Sequence, residues 1–191
     1  MIHDIRDYIS WPWAGLAAFW LLAALRRKPS IRKQPIEGRV LEMTVLLVAA
    51  VLLFYRWPRI AVLNQRILSA TAAMGLAGLA VTVAGVLFAI TARVYLGTNW
   101  SGRPSIKEGH ELIHKGPYRL VRHPIYTGLL LAATGTAVAF GLVRCLLALP
   151  VVLLGFWWKI RAEEQMLAET MGAQYADYRR QVRSAVIPYI L

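Results

Sequence analysis

Long stretches without charged side chains alternate with basic segments, and they predict membrane-spanning helices. Five such runs contain no Asp, Glu, Lys or Arg, at residues 9–25, 43–55, 67–92, 125–143 and 145–158. A helix rises about 1.5 Å per residue and the bilayer core is about 30 Å thick, so the first, third and fourth runs are long enough to cross it. The second run has to extend back to Val40 to approach that length.

The last two runs predict a helical hairpin over residues 125–158 that turns at Arg144. The fifth run is short and contains Pro150. Beyond it, mostly apolar positions recur at helical spacing, at Glu163, Glu164, Leu167, Met171, Tyr175, Tyr178 and Val182. This pattern predicts an amphipathic helix that begins in the fifth run and then leaves the membrane.

These elements predict an all-α, polytopic membrane protein with about five transmembrane helices. Residues 1–191 form a single integral membrane domain, with three spans in 1–92 and a loop, the hairpin and a C-terminal helix in 93–191. Basic residues follow the first run instead of preceding it, as in a stop-transfer anchor, so we expect this run to remain on the mature protein.

Composition agrees with a membrane protein and excludes other classes. Apolar residues make up 58% of the chain, charged residues make up 17%, and the mean hydropathy is +0.49. A soluble globular domain is about 45–50% apolar, so soluble and disordered classes are excluded. Cys145 is the one cysteine in the sequence, which excludes an internal disulfide framework and a cysteine-rich zinc site.

The positions of the positive charges predict the orientation. Residues 26–39 and 93–122 each hold six Lys and Arg, and residues 159–191 hold five, out of 22 in all. With five crossings these segments share one side, so the positive-inside rule predicts an external N-terminus and a cytoplasmic C-terminus. The net charge of +12 is then explained without nucleic acid, which we exclude as a partner. The five basic residues outside these three segments are Arg6, Arg56, Arg59, Arg66 and Arg144.

The third run carries small residues on one helix face. Gly75, Gly78, Thr82 and Gly85 follow one another at intervals of three or four residues. Such a face lets helices approach closely in lipid, so we predict that this span packs against a neighbour.

The loop between the third and fourth runs is the strongest candidate for a functional segment. A loop of about 30 residues is uncommon unless it has a function. Together with the C-terminal helix it is predicted to enclose a polar pocket at the cytoplasmic membrane surface. Phosphate-binding GxxxxGK[ST] and GxGxxG motifs are absent, and no Ser-His-Asp triad can be assembled. His110, His114 and His123 with Glu163 match no metal-ligand spacing, so no metal site is predicted.

An ordered set of motifs in this half of the chain carries a family resemblance. The motifs are GTNWS (97–101), GHELI (109–113), GPY (116–118), RHPIYTG (122–128), EE (163–164) and YADYR (175–179). The set resembles the isoprenylcysteine carboxyl methyltransferase family over roughly residues 95–183. More loosely, it is also similar to phospholipid N-methyltransferases and some membrane sterol reductases.

The resemblance implies an integral membrane enzyme that binds S-adenosyl-L-methionine from the cytosol and receives a lipophilic acceptor from the bilayer. Loop 93–122 is then the cofactor-binding loop. The implied cofactor-binding residues are Arg103, His110, Glu111, Leu112, Ile113, Tyr118, His123, Pro124, Ile125, Tyr126 and Glu163. Glu163 suits the cofactor's polar end because a carboxylate binds an ammonium or hydroxyl group well.

The acceptor side is implied to use a cation on the same helix. The family has an arginine four residues before this glutamate, which holds the acceptor carboxylate. Lys159 occupies that position here, and Arg161 is the local alternative. Lysine keeps the charge and lacks the planar fork of arginine, so the acceptor's identity is left open.

Three functions remain as alternatives. The first is methyl transfer to the carboxylate of a lipophilic acceptor such as a prenylated cysteine. Because that carboxylate is already ionised at neutral pH, no general base is needed. The second is methylation of a phospholipid or another small lipophilic amine or thiol, where an amine would need Glu164, His123 or Tyr126 as the base. The third is a membrane NADPH reductase, and a non-catalytic scaffold is the non-enzyme alternative. The sequence leaves the oligomeric state open.

Overall fold

The computed structural model describes residues 5–25, 30–33, 36–55, 60–97, 105–107 and 112–187. These residues form mainly helices, with three short 3₁₀ turns at Ile5–Tyr8, Ala61–Asn64 and Gly116–Arg119. The α-helices are α1 (Ser10–Ala24), α2 (Ile36–Phe54), α3 (Ala72–Leu96), α4 (Pro124–Phe140), α5 (Val143–Met171) and α6 (Ala173–Gln181). The predicted helical class is therefore confirmed, and each of the first five helices covers most of one charge-free run, with α2 starting before its run and α5 continuing beyond it.

Helix length separates these five helices into two groups. Within the described ranges, α3 with 25 residues and α5 with 29 residues are long and apolar enough to cross a membrane. The apolar part of α2 (Met43–Phe54) and helix α4 are shorter, and α1 has 15 residues. The count of five crossings and the division of the chain into one domain stay predictions.

The hairpin between α4 and α5 turns earlier than the sequence predicts. Gly141 ends α4 in the left-handed conformation with φ 62°, and α5 begins at Val143. Arg144, which the sequence analysis placed at the turn, lies inside α5 and is buried. Gly141 tolerates this backbone conformation because it has no Cβ, so the glycine and not the charged residue makes the turn.

A short antiparallel ribbon adds to the predicted all-α architecture. Strand β1 (Ser30–Lys33) pairs with β2 (Ser105–Lys107), with Ser30 opposite Lys107 and Lys33 opposite Ser105. The two strands belong to the α1–α2 and α3–α4 connections. Their pairing brings these two basic connections to the same end of the helices.

Helices α3 and α4 pack with their backbones in contact. A Cβ on Gly85 would lie 2.4 Å from the Ala132 nitrogen, and one on Gly128 would lie 2.6 Å from the Gly85 carbonyl oxygen. Gly78 and Gly135 face each other in the same way about two turns along. The small face predicted on the third run is therefore confirmed as a packing surface. We call this contact the glycine seam.

Hydroxyl groups bridge the middle of the glycine seam and connect it to α1. Thr82 Oγ1 lies 3.3 Å from Thr136 Oγ1, and both hydroxyls also contact helix carbonyls. The indole nitrogen of Trp13 on α1 donates to Thr136 Oγ1 at 3.0 Å. The two hydroxyls and the indole N–H thus hydrogen-bond to one another, as expected for polar groups at a helix interface in lipid.

Arginines bind helix carbonyls at the end of the bundle opposite the ribbon. Arg6 donates through Nε to the Ala139 carbonyl at 2.8 Å, and Arg66 donates to the Phe140 carbonyl at 2.9 Å. Arg144 donates to the Leu52 and Leu53 carbonyls, at 2.7 and 2.6 Å. These carbonyls lie in the last turns of α4 and α2, where they lack intrahelical donors and carry the negative end of the helix dipole.

Helix α6 folds back beside the end of α5. Gly172, with φ 51°, separates the two helices. The buried side chains of Tyr175, Tyr178 and Val182 then pack against Leu112, Leu167 and Met171. The expected amphipathic tail is therefore present as two helices, and α6 brings the residues that follow it to the start of α4.

Candidate functional site

The site lies where α4 begins, beside the charged part of α5. Pro124 is the first residue of α4, and a proline there fits because the first helical N–H has no intrahelical partner. A proline also keeps the residue before it out of the helical region, and His123 has φ −124° and ψ 62°. The chain therefore enters α4 with His123 just outside the helix, facing α5.

The imidazole of His123 lies between two carboxylates from consecutive residues of α5. Its Nδ1 is 3.5 Å from Glu163 Oε2, and its Nε2 is 3.2 Å from Glu164 Oε1. Carboxylate oxygens only accept hydrogen bonds, so both ring nitrogens are satisfied together when each carries a proton. Burial lowers the pKa of His123, but the hydrogen bonds to the two carboxylates outweigh it, and the net pKa is raised above its ordinary value.

Tyr126 forms a second link between α4 and Glu163. Its hydroxyl donates to Glu163 Oε1 at 2.6 Å. The phenol ring stacks between His123 and Phe156, with ring centroids 5.6 and 4.9 Å away. Since Tyr126 follows His123 by three residues, the first turn of α4 presents both groups to the same carboxylate.

Glu163 keeps an open edge despite these contacts. Its side chain is 21% exposed, whereas that of His123 is 7% exposed. A carboxylate has about four lone-pair sites, and Tyr126 and His123 use two of them. Lys159, one helical turn earlier on α5, is near enough to stabilise the negative charge of Glu163. The carboxylate can therefore accept a further donor from outside.

Arg122 connects the second carboxylate to the C-terminal segment. Its Nε donates to Glu164 Oε1 at 2.7 Å, and its Nη1 donates to the Val182 carbonyl at 2.9 Å and to the Arg183 carbonyl. The Arg179 Nε approaches the other oxygen of Glu164 at 3.9 Å. One arginine thus contacts α5 and the chain that follows α6 at the same time.

Residues 182–187, which we call the C-terminal strap, cross the start of α4. The backbone nitrogens of Arg122 and His123 donate to the Ser184 and Ala185 carbonyls, at 3.0 and 2.8 Å. His123 makes no side-chain cap at the start of α4. The strap therefore satisfies backbone donors next to the helix start, which otherwise need a capping side chain or water.

The strap also fills an apolar groove. Val186 is buried in a cluster with Ala49, Val152, Phe156 and Ile160. Thr127 fixes it there by donating to the Val186 carbonyl at 2.5 Å. Tyr126 packs against the same cluster, so the strap lies next to the tyrosine that binds Glu163.

Tyr118 and the residues before it approach the site from the α3–α4 loop. Tyr118 is buried, and its carbonyl accepts a 2.8 Å hydrogen bond from the Tyr178 hydroxyl. Burial, together with the negative charge of Glu163, raises the pKa of the Tyr118 phenol, which therefore stays protonated. Leu112 packs against the α6 cluster, and Ile113 is half-buried.

The structure separates the two cations suggested for the acceptor. Lys159 is half-buried on the helix face of Glu163, one turn away. Arg161 is exposed, and its guanidinium lies 4.1 Å from the ring centroid of Trp157. Two residues along a helix correspond to about 200°, so Arg161 points away from Glu163.

The predicted cofactor residues are partly brought together. His123, Tyr126 and Glu163 are in contact, Pro124 is buried beside them, and Ile125 is half-buried in the same turn. Three predicted residues, Arg103, His110 and Glu111, lie outside the described residues.

Arg122 has no role in the sequence prediction, and Glu164 appears there only as a base for an amine acceptor. Arg122 precedes His123 and Glu164 follows Glu163 in their motifs, and this pair of opposite charges was the signal available for their contact.

These features define a class of protein: a helical fold with helices of membrane-spanning length and an ion-paired carboxylate site at one end. Residues 76–169 match the sequence profile of the isoprenylcysteine carboxyl methyltransferase (ICMT) family. The family resemblance predicted from the motifs is therefore confirmed over this region, which runs from α3 through Glu163 and Glu164.

Several curated relatives carry the same family name. The chain is 32% identical over 116 residues to "Protein-S-isoprenylcysteine O-methyltransferase B" of Arabidopsis thaliana, covering 59% of this chain and 58% of that protein. It is 34% identical to the probable protein-S-isoprenylcysteine O-methyltransferase of Oryza sativa subsp. indica, covering 59% and 60%. The Tribolium castaneum enzyme is 32% identical over 119 residues, covering 59% and 41%. The chain thus spans at most three-fifths of the length of these relatives.

A solved structure shares the fold. It is described as the eukaryotic intramembrane Ras methyltransferase ICMT, without a monobody. The TM-score is 0.57 at 22% sequence identity, and the match covers 84% of this chain and 55% of the other. The helical architecture is therefore that of a known intramembrane protein.

Proposed function

We propose that the chain is a membrane methyltransferase that moves a methyl group from S-adenosyl-L-methionine to the carboxylate of a lipophilic acceptor, such as a prenylated cysteine. The observation that carries the proposal is the position of Glu163, held by Tyr126 and His123 within the region that matches the family. The names of the relatives support a carboxyl O-methyltransferase, and they support a lipophilic acceptor taken from the bilayer.

The residues present fit the methyl donor. Glu163 has an open edge and free lone pairs, which suit the ammonium of the cofactor's methionine part. His123, Pro124, Ile125 and Tyr126 would surround that part. Leu112, Ile113 and Tyr118 would lie on the adenosine side, together with Arg103, His110 and Glu111. When bound, the cofactor supplies a methyl group made electrophilic by its sulfonium.

The chain would contribute the orientation of the two reactants and the exclusion of water from the acceptor anion, more than acid–base chemistry. A carboxylate acceptor is ionised at neutral pH, so no residue has to remove a proton from it. Near-ideal orientation of two reactants is worth about 7–11 kcal/mol. Lys159 would hold the acceptor carboxylate as a fixed positive charge on the face of Glu163, and Arg161 is the alternative. Tyr118 and the strap would keep water from the anion.

We further propose five spans, with the N-terminus outside and both the site and the C-terminus in the cytoplasm. The β1–β2 ribbon supports this topology, because it joins two of the basic connections. The contact of Glu163 with His123 supports it as well, because it brings the charged end of α5 to the start of α4. A reporter fused to the C-terminus is expected to map to the cytoplasm, and an external location would refute the topology.

Calorimetry in detergent tests the cofactor assignment, with S-adenosylhomocysteine as the ligand and NADPH as the control. We expect saturable binding that is lost in Glu163→Ala and kept in Glu169→Gln, an exposed carboxylate on the same helix. Binding of NADPH in place of S-adenosylhomocysteine would identify a reductase. If neither ligand binds to the folded protein, the chain is a scaffold.

Turnover assays test the acceptor. A prenylated cysteine with a free carboxylate is expected to be methylated, and its carboxamide is not. Methylation of a phospholipid amine alone would replace the carboxyl transferase by an amine methyltransferase.

A further inference from the structure

Arg122 has three kinds of partner that no other described side chain near His123 combines. Its Nε donates to Glu164 Oε1, the same oxygen that accepts from His123 Nε2. Its Nη1 donates to carbonyls of the strap, and its backbone nitrogen donates to the Ser184 carbonyl. The guanidinium is therefore fixed on one side by the strap and fixes Glu164 on the other.

This arrangement accounts for the geometry of the imidazole. Glu164 is 14% exposed, and its long side chain has several rotamers available unless a partner holds it. Arg122 is a planar donor with its nitrogens in a fixed fork, so it can bind the carboxylate and a carbonyl in one orientation. With Glu164 fixed, His123 is held between two anions and presents Nδ1 to Glu163.

We propose that Arg122 is a positioning residue, which fixes Glu164 against His123 by tying that carboxylate to the C-terminal strap. Arg122 acts through Glu164 and does not touch the cofactor. The proposal rests on the proposed function in one respect: Glu163, which His123 contacts, is taken to be the cofactor ligand.

The electrostatic surroundings of His123 define the test. The titratable and charged groups that face it directly, or through its carboxylate partners, come from α5, from the 3₁₀ turn Gly116–Arg119, from the start of α4 with Arg122 just before it, and from α6. They are Lys159, Glu163, Glu164, Tyr118, Arg122, Tyr126, Tyr175, Tyr178 and Arg179. Arg122→Lys leaves every one of these charges unchanged, but it removes the planar donor geometry of the guanidinium.

The test is the titration of His123 by NMR in detergent, with ¹³C-labelled histidine. The chain has four histidines, and the signal of His123 is the one lost in His123→Gln. In Arg122→Lys we expect its midpoint to fall by about one pH unit, because Glu164 no longer stays in contact with the imidazolium. Arg119→Lys, at an exposed arginine three residues earlier, is the matched control and is expected to leave the midpoint unchanged.

A double-mutant cycle tests whether Arg122 acts through Glu164. Glu164→Gln is expected to lower the midpoint by itself, and Arg122→Lys is expected to add nothing in that background. An unchanged midpoint in Arg122→Lys, or additive shifts in the double variant, would overturn the proposal. If Arg122→Lys does not fold, Glu164→Asp tests the same link from α5, since it keeps the charge and shortens the reach. It is expected to lower the midpoint, and an unchanged midpoint in Glu164→Asp would refute the link.

Affinity for S-adenosylhomocysteine gives the second readout. We expect it to fall about tenfold in Arg122→Lys, since one charged hydrogen bond that positions the site is lost. If the wild-type protein does not bind S-adenosylhomocysteine at all, the proposed function fails. The shift in the His123 midpoint still decides the positioning role, because it needs no cofactor.

Discussion

The phenol of Tyr126 donates a 2.6 Å hydrogen bond to Glu163 and thereby joins the first turn of α4 to the charged part of α5. The same ring stacks on Phe156, so its position is fixed by packing as well as by the hydrogen bond. A tyrosine held in this way can orient a carboxylate without relying on the hydroxyl for its own placement.

Tyr126→Phe is therefore expected to weaken cofactor binding and leave the fold intact. A hydrogen bond to a charged group is worth roughly 1.5–3 kcal/mol, so affinity for S-adenosylhomocysteine should fall about tenfold or more. Calorimetry measures the affinity, and thermal unfolding in detergent measures the stability. Tyr95→Phe, at an exposed tyrosine on α3, should change neither. Unchanged affinity in Tyr126→Phe would remove the hydroxyl from the site.

His123 predicts how stability depends on pH. Because its pKa is raised in the folded protein, protonation favours folding. This contribution is complete below the unfolded pKa of about 6.5 and is lost as pH rises through the folded pKa. The free energy of unfolding should therefore decrease above about pH 6.5, and the decrease should be smaller in His123→Gln. His114→Gln, at an exposed loop residue, is the control. If the free energy of unfolding fell equally steeply with pH in the wild type and in His123→Gln, the ion-paired imidazole would be contradicted.

Gly85→Ala tests the glycine seam. The new methyl group would lie 2.4 Å from the Ala132 nitrogen, so α3 and α4 would have to separate. Overpacking of this kind costs about 1–3 kcal/mol, and thermal unfolding in detergent should show it as a lower transition temperature. Gly15→Ala is a matched control on α1, since nothing lies within 4 Å of its added Cβ. Similar stability of the two variants would argue against backbone contact at the seam.

Arg144→Leu tests the link between α5 and the end of α2. The buried guanidinium donates to the carbonyls of Leu52 and Leu53, and its loss would leave them the weaker Cys145 thiol as their side-chain donor among the described residues. We expect destabilisation of roughly 1.5–3 kcal/mol, measured by unfolding in detergent. Arg66→Leu removes a single exposed hydrogen bond to Phe140, so its effect should be smaller. The reverse order of the two effects would show that Arg144 is not what joins these helices.

Lys159 and Arg161 are distinguished by turnover of a carboxylate acceptor. Lys159→Ala should reduce it, because this side chain lies on the face of Glu163. Arg161→Ala should not, because its guanidinium stacks over Trp157. The measurement is the initial rate against acceptor concentration at saturating cofactor. If only Arg161→Ala reduces the rate, the acceptor lies on the opposite face of α5.

The helices could be predicted from the sequence because charge-free runs have a direct physical cause in the membrane core. The turn at Gly141 was misplaced because a charged residue in an apolar run suggests exposure to water. Arg144 is instead buried, and helix carbonyls satisfy its guanidinium. Gly128 and Gly135, which complete the glycine seam on α4, are seven residues apart, as Gly78 and Gly85 are on α3, and could have been found in the same way.

The site was predictable only through the motifs. His123 and Glu163 are 40 positions apart in the printed sequence, and no local periodicity relates them. The hydrogen bonds from Arg122 to the strap were not predictable, because they end on backbone carbonyls, which carry no side-chain signal. Hydrogen bonds to backbone atoms depend on where the chain passes and not on which residue is there.

The glycine seam also has a mechanical consequence for the site. Helices whose backbones touch along several turns cannot slide or part without losing that contact, so α3 and α4 move as one rigid body. His123 and Tyr126 are anchored to this body, whereas Glu163 and Glu164 belong to α5, outside the seam. Any motion that widens the space between imidazole and carboxylates is therefore expected to be a hinge of α5 with the end of α2, while the strap stays with α4 through its hydrogen bonds to Arg122, His123 and Thr127.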